Sequence, residues 1–130
     1  MQELIFHKQA FQIPLYRGYL VVVISNDIAK TKELFPKEIF DNNTVYAHCV
    51  YGNYKGQQGF YIVINPFSKY RSIFHGTIAH EALHACSFLL RQRGIEIDAS
   101  NDEPQAYLIE WITDKVYEVL KKFNYTNKIK

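Results

Sequence analysis

Thr77-Ile78-Ala79-His80-Glu81-Ala82-Leu83-His84-Ala85-Cys86-Ser87-Phe88-Leu89-Leu90 is the stretch that decides how this chain is built. Its apolar residues recur at helical spacing: Ile78, Ala82, Ala85 and Leu89 form one stripe, and His80, His84, Ser87 and Arg91 form a separate polar one. Two histidines four positions apart sit one turn above each other on the same helix face, so both imidazoles can reach one divalent metal. Burying two imidazoles in an otherwise apolar segment is costly without a partner, which favours a ligand role over coincident spacing. Composition alone gives only about 0.01 occurrences of His-Glu-x-x-His in a chain of this make-up. Glu81 is too displaced to complete the same ligand set, and is placed to act as a general base on a water activated by that metal.

A zinc site of the catalytic kind takes three protein ligands and keeps a fourth position open. Gly94 closes the helix, following the cations Arg91 and Arg93 that suit a helix C-terminus. Residues 95–100 then read as a loop, and a second helix starts around Asn101 to Pro104, where proline is tolerated in a first turn. Two antiparallel helices joined by this short loop bring Glu103 toward the metal-binding face, which makes it the candidate third ligand. The other reading of Glu103 is the fourth residue of a Ser100-x-x-Glu103 capping box.

His80-Glu81-x-x-His84 followed by Glu103-Pro104-Gln105-Ala106 resembles the gluzincin arrangement, an HExxH helix with a downstream E-x-x-A helix. It is similar to the smallest single-domain zinc metallopeptidases and to metallopeptidase-like proteins of phages and mobile elements. The resemblance covers about residues 59 to 123. It implies His80, His84 and Glu103 as Zn²⁺ ligands, Glu81 as catalytic base, and an α+β zincin-like fold: a small twisted mixed sheet, then the active-site helix and a C-terminal helix. Many gluzincins carry an acidic or amide residue about four positions after the glutamate ligand. Here that place holds Tyr107, so either its hydroxyl supports the site or the support is built differently.

The rest of the chain fits one domain spanning 1–130. With 48% hydrophobic and 15% aromatic residues it can bury a single core and is short for two. Tyr19 to Ser25 reads as a β-branched strand, Ile28 to Phe35 as a short helix stopped at Pro36, and Val45 to Tyr51 and Gly59 to Asn65 as further strands. Residues 52–58, rich in turn formers, read as their hairpin connector. The last helix runs from about Glu103 to Lys122, and the basic tail after it reads as a frayed, solvated end.

A net charge of +2 is too small to argue for a nucleic-acid partner. No signal-peptide pattern opens the chain, and no apolar run approaches the ~20 residues that span a bilayer, so the expectation is a cytoplasmic protein without a membrane partner. Cys49 and Cys86 lack paired C-x-x-C spacing and read as free buried thiols.

By resemblance, the strand bordering the cleft pairs with an extended peptide substrate, and the candidate is Val45 to Tyr51. His48 on this strand is either an oxyanion-stabilising imidazole or a surface one, and Tyr107 is the other candidate for that support. The expected function is therefore zinc-dependent hydrolysis of peptide bonds, acting on a peptide or protein. Two alternatives stand beside it: a zinc-binding scaffold without peptidase activity, and an interaction module with no metal, its tyrosines between Tyr46 and Tyr70 serving a partner surface.

Overall fold

Phe6–Gln12 (β1) and Tyr19–Ser25 (β2) pair antiparallel, with Phe6 opposite Ser25 and Gln12 opposite Tyr19. The structure is a computed structural model that describes residues 3–35, 47–69 and 71–130. Leu20 to Ser25 are buried without alternation, as expected of an interior strand covered on both faces, whereas β1 is only half-buried, as befits an edge. Ile28–Leu34 (α1) follows, capped by Asp27, whose carboxylate accepts from the Lys30 N–H at 3.1 Å.

Ala47–Tyr54 (β3) and Gln57–Ile64 (β4) form a hairpin, and β4 inserts parallel to β2, giving the order β1-β2-β4-β3. Lys55 and Gly56 turn the hairpin with φ of 50° and 79°, the two positive values that a tight two-residue turn matched to strand twist requires. The seven-residue connector expected over 52–58 is thus mostly strand. Gly52 pairs with Gly59, Asn53 with Gln58 and Tyr54 with Gln57, because backbone pairing holds polar residues that side-chain preference alone assigns to a turn. Val45 and Tyr46, expected to begin β3, lie outside the described residues, as does Tyr70.

His75–Gln92 (α2) and Glu103–Lys122 (α3) pack on one face of the sheet. Leu20, Val22, Ile24, Phe60, Ile62 and Ile64 from the sheet meet Ile78, Ala82, Ala85 and Leu89 of α2 and Leu108, Ile112 and Val116 of α3 in the main core. Val21, Val23, Tyr61 and Val63 face the other side, where Phe35 and α1 cover them. Gly94, at φ 70°, ends α2: its N–H bonds the Arg91 carbonyl and that of Ile95 bonds the Leu90 carbonyl. The fold is a mixed α+β arrangement of four strands with the helices layered on them. Among the described residues no helix is long and apolar enough to cross a membrane.

Strand β1 leaves little mark in the sequence, since its half-buried residues lack the β-branched run that marks β2. One further expectation is corrected. The C-terminal tail is docked: residues 126–128 form a short 3-10 turn, Tyr125 packs its ring against Phe67 and His7, and Ile129 bridges to Ile73. Its aromatic and aliphatic side chains outweigh the lysines between them, which remain at the surface.

Candidate metal centre

Residues 75–92 form one uninterrupted helix, so the motif takes the geometry its spacing demands. The Nε2 atoms of His80 and His84 lie 3.1 Å apart. Two nitrogens bound at 2.0–2.1 Å to one tetrahedral ion stand about 3.3 Å apart, so the imidazoles converge at a chelating distance. Both rings are exposed, open to an ion from solvent. Glu81 completes a group whose ligand atoms all lie within 4.8 Å of one another, its Oε1 being 4.0 Å from the His80 Nε2. His80, Glu81 and His84 can therefore hold a metal ion.

Glu81 differs from the histidines in its surroundings. It is 6% exposed, and its Oε2 has no hydrogen-bond partner among the described residues. Burial pushes its carboxyl up from the ordinary value, and His84, His80 and His48 act in the opposite direction. An unpaired buried carboxylate oxygen is expensive in a finished fold and expected where a metal, a water or a substrate proton completes it.

The wall beside this group is the edge strand β3. Ala47 and Cys49 pack toward α2 with the main core, Val50 packs on the opposite face, and Tyr51 meets Phe88 at 5.5 Å between ring centroids. Strand alternation therefore turns Cys49, rather than His48, toward the helix, although the charge of His48 still reaches Glu81 from the sheet edge. Burial raises the Cys49 thiol well above its usual value, with Glu81 adding to the effect, and lifts Cys86 to about 11. Both cysteines are free, as expected; Cys86 is buried and Cys49 half-buried.

Glu103 is the first residue of α3, after the N-cap Asp102, and the capping box from Ser100 does not form. Its carboxylate is exposed and outside the 4.8 Å group. The two helices run antiparallel, with His75 bonded to the Tyr117 hydroxyl and the Cys86 thiol 3.7 Å from the Gln105 carbonyl oxygen. Interpolating between these contacts sets Glu110 level with the histidine pair and Glu103 beyond His84 by about 6 Å at the helical rise per residue. Tyr107, one turn after Glu103, is 66% exposed.

A cavity of about 290 Å³ opens beside the group, lined by Arg71, Phe74, Gly76, Thr77, His80 and Glu81. Arg71 escaped the sequence reading because it lies in the irregular segment before α2, where no periodicity marks it. Comparison with family models, with curated proteins and with solved structures returned no match. The chemistry of the site therefore rests on its own residues.

Proposed function

We propose that the protein is a zinc-dependent metallopeptidase that hydrolyses peptide bonds with Glu81 as general base. The observation that carries this reading is the approach of the His80 and His84 Nε2 atoms to 3.1 Å beside a buried carboxylate oxygen that lacks a partner among the described residues. His80 and His84 would hold the ion, with Glu103 as third ligand and Glu110 as its competitor. Bound zinc supplies Lewis-acid polarisation of a water and of the scissile carbonyl. Glu81 takes the proton of the attacking water on its carboxylate and delivers it to the leaving amine. The edge strand β3 pairs with the backbone of an extended peptide or protein substrate, and Tyr107 is the candidate for stabilising the oxyanion, since His48 lies on the face of β3 turned away from the helix.

A second reading, a catalytically inactive zinc-binding scaffold or interaction module, is favoured by one observation: Glu103 stands outside the ligand group. One experiment separates the two. Protein purified without chelator is assayed for bound metal, then wild type and Glu81→Gln are incubated with a denatured protein and a peptide library while new termini are counted. Cleavage by wild type, lost on substitution with metal retained, supports the peptidase. Equal zinc in both proteins without any cleavage supports the scaffold.

A further inference from the structure

The cavity beside His80 has a chemically divided wall. Arg71 contributes a guanidinium, a planar fork of N–H donors that matches a carboxylate bidentately. Phe74, the N-cap of α2, has no side-chain oxygen to offer the helix end, so the N–H groups of His75 and Gly76 have no acceptor among the described residues. Thr77 is turned to local use, its N–H bonding the Phe74 carbonyl and its hydroxyl accepting from the Phe74 N–H at 3.1 Å. Free N–H groups and the aligned dipoles of an 18-residue helix make this end of the cavity electropositive.

Glu81 supplies an independent sign that the cavity awaits a ligand. It forms part of the same wall, is 6% exposed, and leaves Oε2 without a partner among the described residues. One side of the cavity thus offers a proton acceptor for reacting groups, and the other offers donors suited to an anion. A space of about 290 Å³ takes a residue or two, so an anion held there lies close to the bond being broken.

We infer that Arg71 and the first turn of α2 form a carboxylate-binding subsite, so that the substrate is a peptide presenting a carboxylate within a residue or two of the scissile bond. This rests on the metallopeptidase reading. The carboxylate comes either from a free C-terminus or from an aspartate or glutamate side chain, and the same chemistry recognises both.

The test uses the zinc-loaded full chain carrying Glu81→Gln, which allows binding without turnover. Calorimetry compares N-acetylated dialanine with its C-terminal amide, and an N-acetylated dipeptide amide ending in aspartate with its asparagine counterpart. A charge-assisted hydrogen-bonded contact predicts that the carboxylate member of at least one pair binds roughly ten- to a hundredfold tighter. Adding Arg71→Ala should remove that preference and leave the neutral peptides unchanged, and Arg71→Lys should restore part of it. Melting temperatures of the three proteins, measured alongside, separate lost recognition from lost folding, and Arg71→Lys, which keeps the charge, controls for any structural role of the side chain. Preference in the first pair assigns a C-terminus and in the second an acidic side chain; either supports the subsite. Equal binding within both pairs, or an equal loss for charged and neutral peptides on Arg71→Ala, overturns it. Arg71-dependent binding without cleavage by wild-type protein would leave the subsite standing and remove the peptidase reading, whereas cleavage indifferent to carboxylates removes the subsite alone.

Discussion

The backbone N–H of Lys130 donates to the carbonyl of Ile73 at 2.8 Å, and Ile129 bridges to the same residue. Ile73 is buried and immediately precedes Phe74, the N-cap of the helix that carries the histidines. The last residues therefore fasten the start of α2 from outside, tying it to α3 through the turn at Thr126–Lys128.

Ile129→Asp should consequently destabilise the protein although it lies one residue from the end of the chain. Ile129 is partly buried against the main core, and replacing that contact with a charge should cost about 1–3 kcal/mol. Urea unfolding measures this directly. A midpoint unchanged from wild type would mean that the tail rests on the surface without contributing.

Metal binding is the second prediction. If an ion binds only the folded chain, zinc at 100 times its dissociation constant adds about 2.7 kcal/mol, and a chelator removes that gain. His80→Ala and His84→Ala should each abolish the zinc-dependent rise in melting temperature, because one imidazole cannot chelate alone. Thermal denaturation with zinc and with chelator checks it; coincident curves for wild type would defeat the metal reading.

How far the sequence spoke depended on the kind of signal each residue carries. Tyr19–Ser25, Ile28–Leu34 and Glu103–Lys122 were legible because strong local periodicity coincides with the tertiary environment. The convergence of His80 and His84 was legible because helical geometry alone determines it. Strand β1 and the Gly52–Tyr54 part of β3 were not, since they are held by long-range backbone pairing that leaves little trace in side-chain type. The docked tail was hidden for the same reason: its partner, Ile73, is distant in sequence. Neither the burial of Glu81 nor the presence of Arg71 in the same cavity follows from spacing.

The third ligand is the third prediction. Glu103→Ala should weaken zinc binding by an order of magnitude or more, while Glu110→Ala should leave it nearly unchanged. Glu110 is the informative control because the pairing of His75 with Tyr117 and of Cys86 with Gln105 brings it level with the histidines. Competition with a chromophoric chelator yields both affinities. Loss of zinc in the Glu110 variant alone would transfer the ligand role to that residue and leave His80 and His84 in place.

The fourth prediction follows from the burial of Glu81, whose folded-state pKa is raised above the ordinary 4.5, chiefly by desolvation. Above that value the unfolded chain gives up this proton more readily than the folded one, so the folded state holds more protons and its stability falls as pH rises. Glu81→Gln carries no such dependence. Without metal, the variant should therefore melt above wild type at about pH 8, and the two should converge as the pH falls below the ordinary 4.5, where the carboxyl becomes protonated in both states. Saturating zinc at about pH 8 should narrow the gap, because a divalent charge beside the carboxylate offsets the cost of ionising it in place. Differential scanning calorimetry of both proteins, with and without zinc at the two pH values, measures all four differences. A variant less stable than wild type at pH 8 without metal would mean that the Glu81 carboxylate is satisfied in solution, and its assignment as an oxygen held in readiness for a substrate proton would have to be abandoned.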